Sequence, residues 1–81
     1  MPKLKILSGG EIIKIFEHFD FFIVGQKGSH IKLQRKDSDG SEKTLTVPRH
    51  NELDKGTIKA IFNQAVRYIP ESDIRKYFYT E

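Results

Sequence analysis

The chain has 81 residues, with 14 Lys and Arg against 11 Asp and Glu, and it contains no cysteine. This length fits one small domain, which we expect to occupy residues 1–81, and the missing cysteines exclude disulfides and cysteine-based zinc sites. The formal net charge of +3 permits binding to nucleic acid without demonstrating it. No apolar run approaches the ~20 residues of a membrane span, so we expect a soluble cytoplasmic protein.

The first predicted element is a helix in "LSGGEIIKIFEHF", residues 7–19. Ser8 and Glu11 have the spacing of a capping box, in which each side chain accepts a hydrogen bond from the backbone of the other residue. An apolar stripe follows, formed by Ile12, Ile13 and Phe16. Two glycines in the first turn disfavour a helix, so we expect its start to be either tight or frayed.

Three strands are predicted next. The phenylalanines of residues 16–22 are expected in the core, and "FFIV" favours a first strand that turns around Gln26-Lys27 between two glycines. "SHIKLQRK" alternates between apolar and polar residues and predicts a second strand. "KTLTV" alternates in the same way, with Leu45 and Val47 inward, and Pro48 ends this third strand.

A second helix is predicted in "TIKAIFNQAVRYI", residues 57–69, because its apolar residues recur at helical spacing up to Pro70. The segment "ESDIRKYFYTE" favours a short final helix from about Ser72 that folds back on the domain. We therefore divide the domain into a core of residues 4–69 and a C-terminal tail of residues 70–81.

This order of elements predicts the fold class. Short connections between the three strands give an antiparallel meander, and both main helices need the one apolar face that the sheet offers. The sequence therefore predicts a two-layer α+β domain of the type α-β-β-β-α, with the helices on one side of a three-stranded antiparallel sheet. The opposite face of the sheet is left in solvent.

The alternation of the second strand predicts the orientation of His30. Ile31 and Leu33 face the helices, so His30 and Lys32 face solvent on the other side. A histidine beside cations, just after a glycine turn, suits an anionic ligand that approaches the backbone closely. The alternative is that His30 is an ordinary surface residue. The cations Lys32, Arg35 and Lys36 would then be solvated side chains on a strand edge and would not bind phosphate.

Three segments in a fixed order carry a resemblance to a known family: "LSGGEIIKIFEHFDF", "GQKGSHIKLQ" and "LTVPRHNELDKGTIKAIFNQA". Over residues 4–69 the chain resembles the HicA-type toxins of bacterial and archaeal toxin–antitoxin systems. The resemblance implies a fold similar to double-stranded-RNA-binding domains and ribosome-independent cleavage of mRNA. It also implies a HicB-type antitoxin that covers the site in a hetero-oligomer, and it assigns no metal or other cofactor.

Within "GSH" the resemblance assigns the strand histidine of the family to His30, which would act as general acid or base. A histidine side chain suits proton transfer at neutral pH, and RNA supplies its own nucleophile in the 2′-hydroxyl. Some relatives carry a second histidine after this motif, where the present chain has Ile31. The groups expected to bind RNA around His30 are Lys27, Gly28, Ser29, Lys32 and His50.

Other interpretations of the same residues stay open. His50 lies in a loop, where it is either a second proton-transfer group or a capping or solvated residue. The domain as a whole is either a ribonuclease or a module that binds double-stranded RNA without cleaving it. A third hypothesis is an interaction domain whose tail tyrosines, Tyr77 and Tyr79, dock on another protein.

Overall fold

The computed structural model describes residues 2–80. The helices are α1 (Gly9–His18), α2 (Lys55–Ala65) and α3 (Glu71–Phe78). One sheet contains β2 (Phe22–Lys27), β3 (His30–Lys36) and β4 (Glu42–Pro48), and a small ribbon pairs β1 (Lys3–Leu4) with β5 (Tyr79–Thr80). None of the helices in residues 2–80 has both the length and the apolar character needed to cross a membrane.

The predicted capping box starts α1. The hydroxyl of Ser8 accepts the amide of Glu11 over 3.1 Å, and the Glu11 carboxylate accepts the amide of Ser8 over 2.9 Å. The backbone and side-chain hydrogen bonds with Ser8 lower the pKa of Glu11 below its ordinary value, because they favour the ionised carboxylate. The start of this helix is therefore tight rather than frayed.

The sheet is antiparallel, in the order β2-β3-β4, which confirms the predicted meander. Ile31 lies opposite Val47 and Leu33 opposite Leu45, so the alternating residues of two strands share one face. All four are fully buried under the helices, whose apolar stripes complete a single hydrophobic core. The layout is the predicted α-β-β-β-α, with the predicted helices on one side.

The turn between β2 and β3 lies at Gly28-Ser29, so the prediction of a turn around Gln26-Lys27 is wrong. Gly28 has a φ of +59°, which residues with a side chain rarely adopt, and glycine is preferred at the first position of a two-residue hairpin loop. Lys27 consequently ends β2 and lies directly opposite His30. Gly25 and Gly28 both favour a turn, and only the pairing of β2 with β3 decides at which of them the chain turns.

Phe22 is a second correction, because 57% of its surface is exposed, whereas Phe16 and Phe21 are fully buried. The register between β2 and β3 shifts between Ile23 and Gly25, which marks a β-bulge in this outer strand. Phe22 pairs with Gln34 on the side of the sheet away from the helices. No helix covers that side, so the phenylalanine stays in contact with solvent.

The helix α2 ends at Ala65, earlier than the apolar pattern through Ile69 predicts. Beyond Ala65 the backbone forms a hydrogen-bonded turn, in which the amides of Tyr68 and Ile69 both donate to the carbonyl oxygen of Ala65. Pro70 disfavours helical geometry at the residue before it. Ile69 is nevertheless buried, so the predicted apolar positions are correct although the helix boundary is not.

The C-terminal tail docks on the domain. Ile74 and Phe78 of α3 are fully buried in the same hydrophobic core as the sheet residues. The amide of Lys5 donates to the carbonyl oxygen of Phe78 over 2.7 Å, next to the β1–β5 ribbon. The tail helix was predicted, whereas the ribbon that joins the two ends of the chain was not.

Candidate active site

The surface of interest is the side of the three-stranded sheet that faces away from the helices, called here the open face. His30 begins β3 and lies opposite Lys27 of β2 and Pro48 of β4, and directly opposite residues share a face. Lys32 follows two positions later on the same face, opposite Thr46. His30 and both lysines are exposed, so the structure gathers a histidine and two cations at one end of the open face.

The loop after β4 closes onto the turn before His30. His50 Nε2 lies 2.9 Å from the hydroxyl oxygen of Ser29, and the tautomer of the ring determines which of the two groups donates. The backbone amide of Arg49 donates to the carbonyl oxygen of Ser29 over 2.6 Å. The fold therefore brings His50 to the residue that precedes His30. Arg49 also belongs to this cluster, which sequence reasoning missed although "VPRH" lies in the matching segment.

The backbone around the turn is open to a ligand. A Cβ built on Gly25 or Gly28 would meet no atom within 4 Å, so the space into which a side chain would project is open at both glycines. Gly25 lies opposite Lys32 and Gly28 connects Lys27 to Ser29. The two glycines therefore add no side chain of their own between a phosphate and the ammonium groups of this face.

The positive charge does not extend along the whole strand. Arg35 faces the other side of the sheet, where its guanidinium donates to the Asp37 carboxylate and to the carbonyl oxygen of Tyr68. Lys36 lies opposite the acidic residue Glu42 in the strand register. β3 is also the central strand and not an edge, which corrects the interpretation of these cations as a solvated edge. Lys27 and Lys32, which have no acidic residue opposite them, lie at the end of the sheet that carries His30.

Some relatives are expected to carry a second histidine at the position of Ile31, and in this chain that position does not lie on the open face. Ile31 is fully buried and points into the core, opposite the side that carries His30. His18 ends α1 and its ring centroid lies 5.6 Å from that of Tyr77. His50 is therefore the histidine that the structure connects to the turn before His30.

The tail tyrosines pack against the domain. The Tyr77 ring lies 5.6 Å from Phe19 in an edge-on arrangement, and the Tyr79 ring lies 5.2 Å from Phe62 in the same way. Both tyrosines are half-buried. These contacts give the two rings a structural role, which weakens the hypothesis that the tail serves mainly to dock on another protein.

The candidate site is an exposed end of the sheet and lies apart from the surface cavity along α2. A surface cavity of about 720 Å³ runs along α2 from Asp54 to Arg67, and none of the predicted site residues line it. Within residues 2–80 no three His, Asp or Glu side chains are grouped closely enough to hold a metal ion. An extended, anionic polymer fits such a face better than a small molecule that needs an enclosing pocket.

A comparison with protein families shows which family the chain belongs to. The family described as "HicA toxin of bacterial toxin-antitoxin" matches residues 9–66. The chain belongs to the HicA toxin family. Comparison with curated proteins gave no match, and comparison with solved structures gave none either.

Family membership makes the protein a HicA toxin that pairs with an antitoxin. The match begins at the first residue of α1 and ends at the residue that caps α2. It thus includes the turn Gly28-Ser29, His30 and the loop with His50. It leaves out α3 and the ribbon, so Ile74 and Phe78 of the buried core lie outside the matched segment, as do Leu7 and Ile69.

Proposed function

We propose that this HicA toxin is an endoribonuclease that cleaves mRNA without the ribosome, with His30 as its general acid or base. The observation that carries the proposal is the placement of His30 on the open face, exposed and flanked by Lys27 and Lys32. A toxin that pairs with an antitoxin needs an activity that harms its own cell, and cleaving mRNA stops translation. The substrate places the proposed activity in the cytoplasm.

The proposed reaction is an internal transfer within the RNA. The 2′-oxygen attacks the adjacent phosphorus, a 2′-O–P bond forms, and the bond from phosphorus to the 5′-oxygen breaks. His30 either removes the proton of the 2′-hydroxyl or protonates the leaving 5′-oxygen. The products are a 2′,3′-cyclic phosphate, or its hydrolysis product, and a 5′-hydroxyl end.

The neighbouring groups would stabilise the charge that develops on the phosphate. The ammonium groups of Lys27 and Lys32 share the open face with His30, and the backbone amides of Gly28 and Ser29 would add hydrogen bonds. His50 is proposed for the second proton transfer. Because its Nε2 contacts Ser29, Nδ1 is the ring nitrogen proposed to make that transfer.

The same face is proposed as the surface that a HicB-type antitoxin covers in a hetero-oligomer. Acidic groups of the antitoxin would lie near Lys27 and Lys32 and would exclude RNA by occupying the same cations. Co-expression tests this part of the proposal. Induction of the toxin should arrest growth, the adjacent antitoxin gene should relieve the arrest, and His30→Ala should abolish it.

Cleavage of a labelled single-stranded RNA in the presence of a chelator tests the chemistry. General acid–base catalysis contributes about 10²–10⁴-fold, so His30→Ala should slow cleavage by that factor. His18→Ala is the matched control, because His18 is an exposed histidine at the end of α1 and not on β3. Equal rates for wild type and His30→Ala would overturn the assignment. RNA that is bound but left intact would instead favour the non-catalytic double-stranded-RNA-binding module.

A further inference from the structure

Gly9, the first residue of α1, contacts the backbone of the segment Pro48–His50 that ends β4 and follows it. Its amide donates a hydrogen bond to the carbonyl oxygen of His50 over 2.9 Å. A Cβ built on Gly9 would overlap the carbonyl oxygen of Pro48 and would lie 2.9 Å from the Cα of Arg49. Both are backbone atoms, so a side chain here requires the helix or the segment to move.

The same segment holds the turn before His30. The amide of Arg49 donates to the carbonyl oxygen of Ser29 over 2.6 Å, and the ring of His50 contacts the Ser29 hydroxyl over 2.9 Å. Ser29 is covalently joined to His30. The start of α1 is therefore linked to the histidine of the open face through one segment and one turn.

We infer that Gly9 is a positioning residue for the ribonuclease site. Only a residue without a side chain lets α1 approach Pro48–His50 closely enough to hold that segment against the turn at Gly28-Ser29. The catalytic consequence rests on the proposed function, whereas the contact itself exists without RNA. The inference also explains a glycine at a helix position where alanine would be the better helix former.

Gly10 supplies a matched control in the same helical turn. A Cβ on Gly10 would meet nothing closer than the Ser8 hydroxyl oxygen at 3.9 Å. Gly9→Ala and Gly10→Ala each add one methyl group and each favour the helix intrinsically. A difference between the two variants therefore reports the contact of Gly9 with Pro48–His50.

Kinetics and NMR spectra of the full chain test the inference together. Gly9→Ala should lower kcat for RNA cleavage at least tenfold with little change in KM, because the lysines that bind phosphate are untouched. In the RNA-free protein it should also shift the Arg49 amide and His50 ring resonances. Gly10→Ala should change neither. A loss of kcat without these shifts, or unchanged kcat and unchanged shifts, would overturn the inference.

The two proposals fail in distinguishable ways. If wild type cleaves no RNA, the proposed function fails, and the shifts in Gly9→Ala still decide whether Gly9 positions Arg49 and His50. If Gly9→Ala does not fold, Ser29→Ala tests the same linkage from the other end. The Gly9 amide should then exchange several-fold faster with solvent, while the Glu11 amide, which donates to Ser8, should not. An unchanged rate at Gly9 would contradict the linkage.

Discussion

His50 Nε2 lies 2.9 Å from the Ser29 hydroxyl oxygen, although 21 positions separate the two residues in the sequence. Since the Arg49 amide also donates to Ser29, the loop after β4 and the turn before β3 form one unit. His30 follows directly from this unit. The environment of the proposed catalytic histidine is therefore set by two distant segments and not by the "GSH" motif alone.

Loss of the Ser29 hydroxyl should disturb this unit without unfolding the protein. A hydrogen bond between side chains contributes about 0.5–1.5 kcal/mol, so we expect Ser29→Ala to lower RNA cleavage by roughly 2–10-fold. The His50 ring resonances should shift in the same variant. Ser38→Ala is the control, because Ser38 is exposed in the turn between β3 and β4 at the opposite end of the sheet. Identical His50 spectra in both variants would argue against the contact.

Much of the fold could be predicted because it depends on local periodicity. The alternation of Ile31 and Leu33 is fixed by a sheet with one buried face, and it also placed His30 on the solvent side. The capping box of Ser8 and Glu11 depends only on a spacing of three residues. These features need no knowledge of which elements meet in space.

The rest depends on contacts that periodicity does not encode. Gly25 and Gly28 both favour a turn, and the pairing of β2 with β3 placed the turn at Gly28-Ser29. Phe22 has the residue type of a core position, yet a bulge in β2 leaves it on the uncovered side of the sheet. The glycine at position 9 was unfavourable by local rules, and only its contact with Pro48 and Arg49 explains it.

The two lysines of the open face should contribute to RNA affinity through their charge. Each contact with a phosphate of single-stranded nucleic acid changes the slope of log K against log salt by roughly 0.7. Lys27→Gln and Lys32→Gln should each reduce the slope by about that amount. The measurement uses an RNA whose 2′-hydroxyls are all methylated, so that it cannot be cleaved. Lys59→Gln removes the same charge from the exposed side of α2 and should leave the slope unchanged. If the slope of all three variants equalled that of wild type, RNA would bind at a surface other than the open face.

The tail should be essential for stability although it lies outside the family match. Phe78 is fully buried and its ring lies 5.3 Å from Phe62 and 6.2 Å from Phe16. Phe78→Ala should lower the free energy of unfolding by about 3–5 kcal/mol, the usual cost of removing a buried phenylalanine ring. Urea denaturation followed by circular dichroism measures it.

Phe22→Ala is the matched control for the tail, because it removes the same side chain from an exposed position. We expect its cost to be about 1 kcal/mol or less. Equal costs for the two variants would mean that α3 does not pack as described. Full stability of a chain ending at residue 70 would lead to the same conclusion.

The capping carboxylate of α1 should make stability depend on pH. Hydrogen bonds from Ser8 lower the pKa of Glu11 in the folded protein, so the folded state binds a proton less readily than the unfolded state. The stabilisation is present above the ordinary glutamate pKa of roughly 4.3 and is lost as the pH falls through the lower folded value. Acid therefore weakens the start of α1.

Glu11→Gln separates the charge from the hydrogen bond, because an amide oxygen can still accept the Ser8 amide. Its urea midpoint should lie below that of wild type at pH 7, and the difference should shrink once the pH falls below the folded pKa of Glu11. Glu17→Gln removes a charge from the same helix at an exposed position and is the control for the loss of one carboxylate at pH 7. A constant gap between Glu11→Gln and wild type from neutral to acidic pH would show that ionisation of Glu11 does not stabilise the helix start.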